Sequence, residues 1–184
     1  LPLTSVLYQR GAFGPDDTAA TALVLAIYGA GLPSFVLHKT FQPLFYARED
    51  ARSPFRYALN SMVVNLAIAV GLMPHIGFAA AALATTVAGW TMAAQLWFGA
   101  RRMGDASRFD DRFRNRAPRI VVASIVMGLA LAAATVGLGG VLSSPGWRYG
   151  GLAVLISVGI VTYFATGAAI GAFRLSDFRK LRQR

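Results

Sequence analysis

The 184-residue chain contains no cysteine, so no disulfide framework and no thiolate-bound metal is open to it. Charge is scarce too. Only 14% of residues are charged, where a soluble domain of this length carries about a quarter. Acids are scarcest of all: Asp16, Asp17, Glu49, Asp50, Asp105, Asp110, Asp111 and Asp177 all fall in polar connections or in the tail. No carboxylate pair stands within an apolar stretch to run acid–base chemistry, and no glycine-rich phosphate loop precedes a helix. No catalytic residue is therefore assigned. The two histidines, His38 and His75, lie far apart and toward opposite membrane faces, which argues against a metal site between them. A start at Leu1-Pro2-Leu3, with no methionine and no basic leader, shows no signal peptide and reads as a piece of a longer protein.

What the chain has is apolar length. Hydrophobic residues make up 55% of it and the mean hydropathy is +0.52. The charges cluster, leaving long stretches almost free of them, each reaching the roughly 20 residues a helix needs to cross a bilayer core. An integral membrane protein is expected. The net charge of +10 could suggest a nucleic-acid partner, but its distribution argues against one. Fifteen of the eighteen basic residues lie in two connections (Arg48 to Arg56, Arg101 to Arg119) and the tail from Arg174. If every apolar stretch crosses once, those three segments share one side, and Arg10 and Arg148 alone face the other. This is the positive-inside bias, which places the basic side and the C-terminus in the cytoplasm.

The expected fold class is all-α, a polytopic transmembrane bundle with about five full spans and the end of a sixth. The spans are read at 18–46, 54–73, 77–98, 118–142 and 149–173, with a basic tail over 174–184. Asp16 or Asp17 can cap the first span, and Gly29 to Pro33 should kink it. Ser53 and Pro54 read as cap and first residue of the second span. "MPHIGF" and "SSPGWRYG" are short external turns, so the spans they join should be adjacent and antiparallel. The arginine-rich connection Gly99 to Arg119 suits an amphipathic helix on the membrane surface.

Lys39 raises the sharpest question. It lies seven residues before Tyr46, about 10 Å below the membrane boundary at 1.5 Å per residue. A lysine stem covers about 6 Å of that, so the ammonium stops short of water unless the bilayer thins. Lys39, Gln42 and Tyr46 share one helix face, and Leu37, Phe41 and Leu44 on another face suit lipid. Two readings stay open: a polar face lining a protein cavity, or a lysine that snorkels. Pro43 would let the end of this helix bend. Asn65 follows Ser61 by one turn, and Ala81, Thr85 and Gly89 make a small-residue string. These suit either close helix packing with an interhelical hydrogen bond or a mid-membrane site for a cation or polar substrate. Gly167 to Gly171, "GAAIG", reads as packing.

The stretch from Tyr8 to Ile68 resembles the MurJ/MviN family of bacterial lipid II flippases. It carries the R-G-A-F turn, the G-L-P kink, the K-x-x-x-P-x-F-Y-A-R-x-D-x-R-x-P hairpin and V-N-L. "IGFAAAALATTVAGW" resembles the next helix of that family, and the likeness continues to Arg184 in hydropathy and the basic tail. The resemblance implies part of the C-terminal lobe of a two-lobe exporter of the multidrug/oligosaccharidyl-lipid/polysaccharide superfamily, in the bacterial cytoplasmic membrane. It would move a lipid-linked peptidoglycan precursor from inner to outer leaflet by alternating access. Its partners would be that lipid-linked oligosaccharide, the membrane lipids and the N-terminal lobe, where most head-group-binding residues lie.

On the same resemblance, Lys39, Gln42 and Tyr46 would face the transport cavity, and Pro43, Arg48, Asp50, Arg52 and Pro54 would form a gate hairpin. A sodium site of some members maps to Asn65, the Ala81 carbonyl and Thr85, but the acid that would complete it falls at Ala69. That departure bears against sodium; either sodium or the membrane potential would drive transport, and no other cofactor is implied. Other flippases or exporters of the superfamily, a membrane enzyme acting on polyprenyl phosphates, and a non-transporting scaffold are the competing functions.

Overall fold

A computed structural model describes residues 2–8, 13–104, 111–140 and 147–171, and it is helical throughout its regular parts. The helices are α1 (Pro2–Tyr8), α2 (Pro15–Tyr46), α3 (Arg52–Ile76), α4 (Ala79–Arg101), α5 (Asp111–Gly137) and α6 (Arg148–Ala169). The expected basic tail, Arg10, residues 141–142 of the fourth span and 172–173 of the fifth lie outside the described residues. The chain divides into two units: Arg10–Arg108, holding α2 to α4, and Leu1–Gln9 with Phe109–Arg184, holding α1, α5 and α6.

Among the described residues, four helices are long and apolar enough to cross a membrane: α2, α3, α5 and α6. Their large side chains point outward. Phe55, Leu59, Met62, Leu66, Val70 and Met73 form a stripe down α3 in which every member is more than 40% exposed. In water such a stripe would be an aggregation site; in a bilayer it is the ordinary surface.

The third expected span, α4, is long enough to cross but is not among those four, and its position explains why. It packs against both α2 and α3, while α2 and α3 scarcely touch each other. Its buried residues are mostly alanine and glycine (among them Ala82, Ala88, Gly89, Ala93 and Ala100). A helix screened from lipid gains more from close approach than from bulk, and small residues permit that approach.

Helix α2 is 32 residues, about 48 Å at 1.5 Å per residue, and stays helical through Pro33 and Pro43. Its start differs in detail from the sequence reading. Gly14 is the cap residue, and Asp17 reaches back to accept the Gly14 amide at 2.9 Å. Helix α3 likewise begins earlier than expected, at Arg52, and runs past Pro74 to Ile76. Gly77, with φ of 56°, ends it, a left-handed conformation that glycine adopts without a Cβ clash.

In the other unit α5 and α6 pack along each other, with Leu131 of α5 seated over Gly159 of α6. Helix α5 starts at Asp111, before Pro118, so the second half of the arginine-rich connection continues the span axially. It is not a separate surface helix, and residues 105–110 of that connection lie outside the described set. Pro118 is the eighth residue of α5, past the first turn, so the helix forgoes the one i→i−4 bond its amide would have made. At the far end of α6, Gly171 has φ of 69°, and Arg119 donates to its carbonyl at 3.2 Å.

Candidate functional site

The face of α2 that packs inward reads Gly31, Ser34, His38, Phe41 and Phe45, a step of three or four residues at a time. Gly31, Ser34, Phe41 and Phe45 are buried, and His38 is half-buried. Phe41 was expected to meet lipid; at 3% exposure it is core instead. Three hydrogen bonds run along the α2–α4 seam from side chains of one helix to backbone carbonyls of the other. Thr86 donates to the Ile27 carbonyl at 2.9 Å and Trp90 Nε1 to Ala30 at 3.0 Å. His38 Nε2 lies 2.8 Å from the Gly89 carbonyl. A carbonyl can only accept, so that nitrogen carries the proton.

Lys39, Gln42 and Tyr46 lie off this packed face, as their spacing implied. Lys39 and Tyr46 are exposed and Gln42 is half-buried. Among the described residues, neither the Lys39 ammonium nor the Gln42 amide has a hydrogen-bond partner. A cation and an amide left unpaired on an apolar helix are costly against lipid tails.

The hairpin after Tyr46 is built by its own backbone. The Asp50 amide donates to the Phe45 carbonyl at 3.1 Å and the Glu49 amide to Tyr46 at 3.0 Å. That double closure requires a left-handed residue, which here is Glu49 with φ of 58°. Arg48 ties the turn to the end of α4 by donating to the Met103 carbonyl at 2.8 Å. Ser53 and Pro54 do not start α3 as cap and first residue. Asp50 takes the capping role instead, accepting the Ser53 amide at 3.0 Å. Hydrogen bonds from the Ser53 hydroxyl and then its amide hold the Asp50 carboxyl below its ordinary range, with a smaller contribution from Arg52. Pro43 is exposed within the unbroken α2, and Pro54 is buried in the first turn of α3.

Asn65 and Thr85 do meet. Asn65 Nδ2 lies 3.4 Å from Thr85 Oγ1, and Thr85 donates to the Ala81 carbonyl at 2.9 Å. They line a cleft of about 340 Å³ between α3 and α4 with Phe35, His38 and Ser61. As arranged, these groups do not fit a sodium ion. Asn65 presents its amide protons, the Ala81 carbonyl is engaged, and a hard cation wants several free oxygens, usually with a carboxylate. Position 69 is alanine, and among the described residues no three His, Asp or Glu side chains gather to hold a metal. Gly89, grouped with Ala81 and Thr85 by spacing, lines the same cleft as Thr85 and is buried against Ser34.

Of the polar pairings missed at the level of sequence, two engage side chains of the α3–α4 clefts. One is His38 on Gly89, which its place between Ser34 and Phe41 on the packed stripe could have indicated. The other is Asn60 to Gln95, at 2.9 Å between α3 and α4, for which no spacing signal exists.

The family model of the lipid II flippase MurJ matches residues 1–158. The chain belongs to that family. It is 39% identical over 182 residues to a probable lipid II flippase MurJ of Rhizobium meliloti (strain 1021), covering 97% of this chain and 34% of that protein. A probable lipid II flippase MurJ of Rhizobium tropici is 36% identical over 181 residues, 95% of this chain and 33% of its own. A lipid II flippase MurJ of Burkholderia cenocepacia is 32% identical over 103 residues, 56% of this chain and 20% of its own. The chain thus spans about a third of the length of the curated relatives it matches. It is a multi-pass membrane segment of that family.

Proposed function

We propose that this chain is part of the C-terminal lobe of a flippase that carries a lipid-linked peptidoglycan precursor from the inner to the outer leaflet by alternating access. Family membership supports the substrate class. The observation within the chain that carries the reading is the unpaired polar face of Lys39 and Gln42, set on the side of α2 away from its packing with α4. Such a face suits a water-filled cavity closed by the rest of the protein, where an ammonium attracts a phosphate-bearing substrate. In this reading the basic hairpin at Arg48 and Arg52 faces the cytoplasm, and the membrane potential supplies the drive with no step through a bound cation.

The test uses the full-length protein in cells depleted of their own flippase. Lys39→Arg keeps the charge and should keep transport, whereas Lys39→Ala should lower it about tenfold, the equivalent of one lost charged hydrogen bond. Both variants must reach the membrane at wild-type levels. Equal transport by Lys39→Ala and wild type would place Lys39 in lipid and overturn the cavity reading.

A further inference from the structure

A second cleft, of about 390 Å³, opens between the start of α3 and the end of α4. Ser53, Arg56, Tyr57 and Asn60 line it from α3, and Gln95 and Arg102 face them from α4 and its cap. Its size falls within the range of small-molecule sites. The walls are fixed by packing. Tyr57 lies edge-on to the buried Phe45 ring at 6.0 Å, and its hydroxyl sits where a Cβ on Gly99 would come within 2.6 Å. Asn60 donates to Gln95 at 2.9 Å, which closes the far end and leaves each amide a proton to offer.

The chemistry of this cleft is one-sided. Arg56 and Arg102 bring two guanidinium groups, Tyr57 a hydroxyl, and no lining residue is acidic. Other arginines at this end are engaged: Arg48 holds the Met103 carbonyl, and Arg101 stacks on Trp97 at 4.2 Å. Arg56 and Arg102 have no hydrogen bond or ion pair among the described residues. The Asp50 carboxylate is turned to the Ser53 amide and hydroxyl at the start of α3. Two free guanidiniums at one cleft present the forked donors that match a tetrahedral phosphate.

The geometry points to a binding site for a phosphate anion, and we propose that the headgroup phosphate of an anionic phospholipid fills it. The cleft lies where two apolar helices turn charged, which is headgroup depth, and Phe98, 57% exposed, gives it an apolar rim suited to the glycerol and upper acyl chain. A soluble anion would gain nothing from that rim. In the orientation proposed above, the basic connections at this end face the anionic leaflet, where each arginine near the surface adds to attraction for acidic lipid. This site is independent of the transport reading, because it faces the α3–α4 seam and not the Lys39 side of α2.

The experiment measures thermal stability of the full-length protein in detergent while phosphatidylglycerol, phosphatidylcholine or inorganic phosphate is titrated. Wild type should be stabilised by phosphatidylglycerol and not by the other two. Arg56→Gln and Arg102→Gln should each weaken half-saturation by about fivefold, and the pair together should abolish the shift. Arg114→Gln, which removes a charge from an exposed arginine of α5, should leave it unchanged. Both cleft arginines are exposed, so the variants should fold with the lipid-free melting point of wild type. Retention of the full phosphatidylglycerol shift in Arg56→Gln/Arg102→Gln would overturn the site. An equal shift from inorganic phosphate would overturn the lipid as its occupant.

Discussion

Replacing Gly89 by alanine tests whether α4 is held against α2 by close approach. A Cβ built on Gly89 would lie 2.6 Å from Ser34 Oγ and 3.7 Å from Ser34 Cβ, so the hydroxyl alone is in the way. That hydroxyl cannot step aside freely. Ser34 is fully buried and donates to the Gly31 carbonyl at 2.7 Å. Overpacking of this kind costs about 1–3 kcal/mol, while glycine to alanine in a helix returns about 1 kcal/mol. The net expectation is a loss of about 1 kcal/mol, with His38 also drawn off the Gly89 carbonyl. The same substitution in a Ser34→Ala background meets only the 3.7 Å contact, which is ordinary van der Waals distance. There it should be neutral or mildly stabilising, giving a coupling of about 1–2 kcal/mol across the pair. The assay is reversible unfolding of the full-length protein in mixed micelles, with all four members of the cycle compared. A Gly89→Ala cost that is unchanged by Ser34→Ala would refute the argument, because the steric origin would then be wrong.

Glu49 holds a left-handed turn conformation that favours glycine, so Glu49→Gly should stabilise the hairpin by about 0.5–1 kcal/mol, read as a raised melting point. The Asp50 carboxyl is held below its ordinary value of 3.8, so its capping contribution is present above that pH and is lost as pH falls through the lower folded value. The stability difference between wild type and Asp50→Asn should therefore shrink only below about pH 4 in an acid titration; a difference that is constant down to pH 2 would contradict it. Ala69→Asp should confer sodium-dependent thermal stabilisation that wild type lacks, and Asn65→Ala should remove it again. If the aspartate brings no sodium response, Asn65 and Thr85 are a packing pair alone.

Membrane residence, the all-helical fold and the exposed polar side of α2 were legible in the sequence, because each depends on local composition or on helical period. A run of about 20 apolar residues has few alternatives to a membrane helix, and Lys39, Gln42 and Tyr46 share a face whatever surrounds them. The hairpin motif from Pro43 to Pro54 identified the family before any coordinates did. Which apolar face meets lipid was not legible. Phe41 and Leu59 are equally apolar, yet one is buried and the other 41% exposed, because hydropathy cannot tell protein from lipid when both are oily. Only the tertiary structure put α4 between α2 and α3, set His38 on the Gly89 carbonyl, and brought Arg56 to the same cleft as Arg102 from 46 positions away. Those pairings depend on where small residues let two backbones approach, and that is a property of helix pairs that no single helix carries.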